Sequence, residues 1–205
     1  MSFKLGITGF IGMGKTTVSS YFVEQNIPLW DADKNVHRIY EKDGLGYNAL
    51  IEKFPSLIND VAIDRDQLSQ MIQKKETTLD VIESIIHPLL SLERKKFIAR
   101  HYQQPILVFD LPLLFETKAD LWLDAVLLVT CSRETQKKRL LNRKNLNGEK
   151  IKMLISRQNR YVGRRDKCHF IINSDKVLDD MKKDVLSVIK KIKDESNDKR
   201  SGSGH

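Results

Sequence analysis

The sequence has little of what marks a secreted or membrane-spanning chain. Its two cysteines, Cys131 and Cys168, are too few and too scattered in 205 residues for a disulfide framework or a zinc site. Two reduced, partly buried thiols are the expected state. No apolar stretch approaches the roughly 18 residues of a membrane span. Met1-Ser2-Phe3-Lys4 runs straight into a strand-like segment, which argues against a secretory signal. Glycine and proline number only 10 and 5, and the composition is otherwise that of an ordinary globular protein. No aromatic platform or nucleic-acid-binding motif is present. These absences point to a cytoplasmic protein without membrane or nucleic-acid partners.

What is there is a basic chain with a strong α/β pattern. A length of 205 residues allows one substantial core with an inserted subdomain, and a monomer is expected, with a small homo-oligomer as the alternative. The net charge is +8 and the pI about 9.4, which alone admits nucleic acid, membrane surfaces or polyphosphate ligands. The charge is concentrated: thirteen Lys and Arg lie between Arg133 and Lys167 against three acids. Such a run is ordinarily a solvated helix face.

Five continuous apolar runs read as strands, namely Phe3 to Thr8, Ile27 to Trp30, Ile106 to Phe109, Ala125 to Thr130 and Phe170 to Ile172. Continuous rather than alternating apolar character predicts a parallel sheet covered on both faces. Helical periodicity fills the gaps, most clearly at Leu178, Met181, Val185, Val188 and Ile192. The pattern is that of a doubly wound α/β fold. Between Asp31 and Pro105, about 75 residues carry no convincing strand. Four amphipathic runs there, around Ala49–Phe54, Leu68–Ile72, Val81–Ile86 and Leu89–Phe97, predict an inserted helical subdomain, since a crossover needs only about a dozen residues. The expected division is a core of residues 1–32 and 104–195, an insertion of 33–103 and a tail of 196–205. The last five residues, Ser201-Gly202-Ser203-Gly204-His205, look like a linker or cloning remnant.

The sharpest motif is Gly9-Phe10-Ile11-Gly12-Met13-Gly14-Lys15-Thr16, which fits G-x-x-x-x-G-K-[ST] between a strand and a helix. Glycines let successive backbone N–H groups turn inward to phosphate oxygens, and the following helix adds its positive N-terminus. Lys15 can reach the β- and γ-phosphates, and the Thr16 hydroxyl can ligate Mg²⁺. A nucleoside triphosphate is therefore the expected ligand. Phe10 is compatible with the loop only if its position does not demand a positive φ.

Three further features favour a phosphotransferase. The helical insertion offers a surface for an acceptor. Asp31-Ala32-Asp33 directly follows the second strand, and the carboxyl ends of parallel strands border the ligand crevice. One aspartate there can accept a proton from an acceptor hydroxyl, and either can simply N-cap the next helix; Asp33 is the candidate base. Finally, Ser132 is a candidate N-cap for a helix carrying Gln136, Arg139 and Arg143 on one face. Arginines on a short lid, about residues 133–167, can neutralise charge on a transferring phosphoryl group. Gly148 is a candidate turn within that lid.

With these residues in view the sequence resembles the dephospho-coenzyme A kinase family over about residues 4 to 190. Leu5-Gly6-Ile7-Thr8-Gly9, the phosphate loop and Asp31-Ala32-Asp33 follow the family's opening. Ile63-Asp64-Arg65 with Leu68, and Ile85-Ile86-His87-Pro88, resemble its acceptor-domain elements, and Leu111-Pro112-Leu113-Leu114-Phe115-Glu116 its most discriminating segment. Gln136-x-x-Arg139-Leu140-x-x-Arg143, Arg157-Gln158 and Ile171-Ile172-Asn173 match the lid and closing elements.

The resemblance implies a P-loop kinase-like, doubly wound five-stranded parallel sheet with a helical acceptor-binding insertion and a short helical lid. It implies transfer of the ATP γ-phosphoryl to the ribose 3′-hydroxyl of dephospho-coenzyme A, with Mg²⁺. By that resemblance Gly9, Ile11, Gly12, Met13, Gly14, Lys15, Thr16 and Thr17 bind ATP, and Thr16 also holds the metal. Asp33, Lys15, Arg139 and Arg143 serve the chemistry. Asp31, Asp33, His87, Pro88 and Pro112 to Glu116 form the acceptor side. The residues alone leave His87-Pro88 open as a helix stop with a core histidine. Departures from the family are Phe10, Met13, Pro55 and Cys168-His169; the last pair is expected near the adenine base. The alternatives are a kinase for another small hydroxylated metabolite or a nucleoside monophosphate, and a basic nucleic-acid-binding ATPase.

Overall fold

The computed structural model describes residues 2–42, 44–57, 63–64, 67–68, 70–71, 76–143, 148 and 165–201. Five strands, β1 (Phe3–Thr8), β2 (Leu29–Asp31), β3 (Ile106–Asp110), β4 (Ala125–Thr130) and β5 (Phe170–Asn173), form a parallel sheet in the order β2-β3-β1-β4-β5. β3 and β4 are almost wholly buried, which is why their sequences are apolar without alternation. β2 starts later than Ile27 and includes Asp31. Pro28 has no N–H to give the ladder, although its carbonyl still accepts from Val108 N at 2.9 Å.

The chain divides into two compact units, Met1–Leu29 with His101–His205, and Trp30–Arg100. In the first, helix α1 (Lys15–Glu24) and the last helix α6 (Leu178–Ser201) pack on the sheet. Val18 and Phe22 of α1 and Val185 and Ile192 of α6 are fully buried with Leu5, Ile7, Val108, Leu127 and Val129 of the strands. Each such side chain stabilises the fold by about 1.5–3 kcal/mol relative to exposure. α6 continues past Lys193 to Ser201, because Lys, Glu, Asp and Arg on a polar stretch still tolerate the helical backbone. Helix α5 (Arg133–Leu141) follows β4, and Ser132 is its N-cap, accepting from Thr135 N at 3.2 Å. It ends at Asn142, so Arg143 lies beyond the helix while Gln136 and Arg139 lie within it. Residues 144–147 and 149–164, with Arg157-Gln158 and most of the expected lid, are outside the described residues.

The second unit holds α2 (Ala32–Tyr40), α3 (Tyr47–Lys53), a 3₁₀ turn (Pro55–Leu57) and α4 (Glu76–Arg100). Ile39, Leu50, Leu57, Ile63, Leu68, Ile82 and Ile86 make its own core, and Ile63 N donates to Tyr40 O at 3.2 Å. Asp64 stabilises a turn by accepting from Gln67 N at 2.9 Å; Arg65 is outside the described residues. The two helical runs expected across Val81–Phe97 are a single 25-residue helix, with Pro88 inside it. Proline removes the N–H that would reach the Ser84 carbonyl. Ser84, His87 and Pro88 all face solvent, so water can satisfy that carbonyl and the helix continues.

Candidate active site

β1 is the central strand, with β3 and β4 on its two sides, and the phosphate loop leaves its carboxyl end. The backbone turns inward at two glycines, Gly12 with φ 79° and Gly14 with φ 82°, both left-handed. Phe10 and Met13 are not among the positive-φ residues, so these bulky side chains carry no backbone strain. Met13 N closes a turn onto Phe10 O at 3.1 Å, and Gly14 O accepts from Thr17 N and Val18 N as α1 begins. Among the described residues the amides of Gly12, Gly14, Lys15 and Thr16 have no backbone acceptor. Amides left without an acceptor in such a loop and at a helix N-terminus are able to bind an anion.

Lys15 pairs with Asp110, which ends β3 opposite Ile7 of β1. The carboxylate is 5% exposed, and its other oxygen accepts from the buried Ser19 hydroxyl at 3.1 Å. The apolar run predicts a strand ending at Phe109 and so omits Asp110. Its signal was available: a four-residue apolar run closed by an acid, on a strand destined to lie beside the loop. Thr16 is exposed at the first turn of α1 and Thr17 is half-buried behind it.

Three side chains from outside the loop hold its carbonyls. Gln136 Nε2 donates to Ile11 O at 2.8 Å, Arg139 Nη1 to Gly12 O at 3.3 Å and Ser174 Oγ to Met13 O at 2.8 Å. Arg139 also donates to the Ser174 hydroxyl and carbonyl, both at 2.8 Å. Arg139 is thus pinned beneath the loop, while Arg143 is exposed. Cys131, at the end of β4, points its thiol at Gly12 O at 3.9 Å, and burial first of all pushes that thiol above its ordinary range. Asp175 accepts from Ser132 N at 2.7 Å. Hydrogen bonds from the Thr135 hydroxyl first, then from Ser132, hold its carboxyl below the usual carboxylate range.

Pro112 to Glu116 divide by burial. Leu114 is fully buried and Phe115 is 8% exposed, whereas Leu113 is 59% exposed and Glu116 faces solvent. The side chains of Leu114 and Phe115 anchor the segment in the core. Leu114 packs against Gly6, where an added Cβ would come within 2.8 Å of it.

In the other unit the two aspartates take separate tasks. Asp31 is the N-cap of α2, accepting from Lys34 N at 3.0 Å. Asp33, in the first turn of that helix, is exposed, and among the described residues its carboxylate makes no hydrogen bond. His87 and Pro88 are both exposed on α4, so His87 is not a core histidine and the pair does not stop the helix.

Cys168-His169 lies at the other end of the parallel strands. The pair immediately precedes β5, at the amino end of a parallel strand, whereas the phosphate loop lies at the carboxyl end of β1. His169 N donates to Val126 O at 2.9 Å and Nδ1 accepts from Val126 N at 3.1 Å. His169 therefore extends the β4–β5 ladder at the sheet edge away from the loop.

A central strand, a Gly-x-x-x-x-Gly-Lys-Thr loop and a buried acid beside its lysine define a P-loop nucleotide-binding protein. Solved structures with this fold include a Thermus thermophilus protein (TM-score 0.81, 23% identity, 93% of this chain and 97% of that one). A dephospho-CoA kinase from Campylobacter jejuni (TM-score 0.63, 20% identity, 92% and 96%) and a shikimate kinase from Bacteroides thetaiotaomicron (TM-score 0.53, 11% identity, 92% and 98%) share it too. The dephospho-CoA kinase family model matches residues 3–180. Dephospho-CoA kinases of Jannaschia sp. (38% identity over 94% of this chain and 98% of that protein) and Ruegeria pomeroyi (36% over 94% and 97%) are similar over nearly their whole length. The chain belongs to the dephospho-CoA kinase family, and it is an ATP-dependent phosphotransferase.

Proposed function

We propose that the chain transfers the γ-phosphoryl group of ATP to the ribose 3′-hydroxyl of dephospho-coenzyme A, giving coenzyme A and ADP. The observation that carries this reading is the Lys15–Asp110–Ser19 cluster beside a loop and helix start with four amides that have no backbone acceptor among the described residues, in a chain of this family. The new P–O bond forms to the 3′-oxygen as the bond between the γ-phosphorus and the β,γ-bridging oxygen breaks. Asp33 receives the hydroxyl proton; its exposed and unbonded carboxylate is suited to meet an acceptor. Lys15 follows the β- and γ-phosphates, and the loop amides hold the leaving ADP.

The Thr16 hydroxyl and the Asp110 carboxylate are hard oxygen donors and fit Mg²⁺. When bound, that ion neutralises charge on the β- and γ-phosphate oxygens. Arg143 is the lid arginine that meets the transferring group, while Arg139 acts from beneath the loop. His87, Pro88, Pro112, Leu113 and Glu116 shape the acceptor side, with Leu114 and Phe115 as its buried anchors. The protein works in the cytoplasm, consistent with two cysteines outside any disulfide. Among the described residues no helix is long and apolar enough to cross a membrane.

The test is ADP release with dephospho-coenzyme A, shikimate and nucleoside monophosphates as acceptors. Turnover with dephospho-coenzyme A at least a hundredfold above the others is expected. Equal or faster turnover with another acceptor would overturn the substrate assignment.

A further inference from the structure

Three consecutive loop carbonyls, those of Ile11, Gly12 and Met13, each accept a hydrogen bond from a side chain outside the loop. Two of the donors, Gln136 and Ser174, are 4% and 2% exposed. Buried polar groups of this kind are held by function or by fold, since leaving one unpaired is costly. The peptide plane gives them a specific effect. In a trans peptide the carbonyl of one residue and the N–H of the next point in opposite directions. Fixing Ile11 O and Met13 O on the protein side therefore turns the Gly12 and Gly14 amides to the opposite side, where they have no backbone acceptor.

We propose that Gln136 and Ser174 are positioning residues for the nucleotide: they set the direction of the loop amides by gripping its outward carbonyls. Ser174 is the centre of the device. Its hydroxyl accepts from Arg139 and donates to Met13 O, and its amide is tied to Thr130 O at 2.8 Å. It also sits against Gly14, where an added Cβ would lie 2.8 Å from its oxygen. The loop following β5 and the helix following β4 thus fasten the same three peptide units. The inference rests on ATP binding at this loop. It does not depend on the identity of the acceptor.

The experiment compares Ser174→Ala and Gln136→Leu with the parent protein. ATP and ADP affinity is read by calorimetry, KM for each substrate by ADP release, and folding by thermal melts. Losing one such bond is expected to weaken ATP binding about tenfold in each variant. KM for dephospho-coenzyme A should stay within about twofold, because nothing in the device addresses the acceptor. ATP affinity within twofold of the parent in a folded variant overturns the proposal. So does an equal rise in KM for both substrates accompanied by loss of melting temperature, which would make the role purely structural. If Ser174→Ala does not fold, Gln136→Leu decides, as it replaces the amide with an apolar group of similar size. Calorimetry keeps the outcome separate from the kinase assignment: a protein that binds ATP but leaves dephospho-coenzyme A untouched refutes that assignment alone.

Discussion

Replacing Lys15 by methionine should do two separable kinds of damage. On the proposed mechanism, catalysis should be lost with the ammonium assigned to the phosphates. Folding stability should fall as well, because Asp110 is left in the core without its cation. The Asp110 carboxylate is 5% exposed, and removing one partner of a buried pair costs about 3–5 kcal/mol. The Ser19 hydroxyl still bonds it, so the lower end, about 3 kcal/mol, is expected. For a chain of this size that is roughly 6–12 °C in melting temperature.

The reciprocal change, Asp110→Asn, should cost only about 1 kcal/mol. The amide retains an acceptor for Ser19, and the Lys15 side chain, already 16% exposed, can swing its ammonium to water. The double variant should be more stable than Lys15→Met by about 2 kcal/mol, since no buried charge then remains. Thermal melts and guanidinium titrations in nucleotide-free buffer measure all three, alongside ADP release. The reasoning is refuted if Lys15→Met melts within about 2 °C of the parent, or if Asp110→Asn proves the more damaging single change.

Further outcomes follow from other parts of the molecule. Asp33→Asn should lower kcat by about a hundredfold with unchanged melting, as its carboxylate is exposed and unbonded among the described residues; near-normal turnover would remove it as the base. Asp31→Ala should instead cost about 1 kcal/mol of stability through the lost cap. Pro88→Ala should stabilise the protein by about 2 kcal/mol by restoring an N–H for the Ser84 carbonyl, and a drop in melting temperature would show that the proline is needed where it stands. The Cys168 thiol is pushed up to about 11 by burial first and by Asp166 second. The folded state then holds that proton more tightly than the unfolded one, so stability should fall as pH rises from about 9 towards about 11. In melts across that range Cys168→Ala should show a shallower decline than the parent, and an identical decline would contradict the assignment.

The sheet was legible because a doubly covered parallel strand has no polar face to hide, and Phe3–Thr8 and Ala125–Thr130 match the sequence reading at both ends. The phosphate loop was legible because its chemistry demands particular residue types at fixed spacing. Other features escaped for physical reasons. Pro88 looks like a boundary in one dimension, and only its place on the solvent face of α4 allows the helix to pass through it. Gln136 and Ser174 act through main-chain carbonyls, which every residue owns, so no motif announces what they grip. Asp110 closes an apolar run and needed only the strand order to become the partner of Lys15. His169 immediately precedes β5, and only strand direction shows that it lies at the amino ends of the parallel strands, away from the phosphate loop. The pattern Asp-Ala-Asp leaves open which aspartate caps the helix, and the cap geometry gives that task to Asp31.

The central claim is the proposed reaction: phosphate leaves ATP and arrives on the 3′-oxygen of dephospho-coenzyme A, with Lys15 required for the transfer. The direct measurement supplies ATP labelled with ³²P at the γ-position and maps the label in the product by nuclease P1, which releases a ribose 3′-phosphate, followed by mass spectrometry. The account predicts label on the ribose 3′-oxygen, one ADP formed per labelled product, and neither product with Lys15→Met. Label on another hydroxyl, or ADP accompanied only by inorganic phosphate, would contradict it.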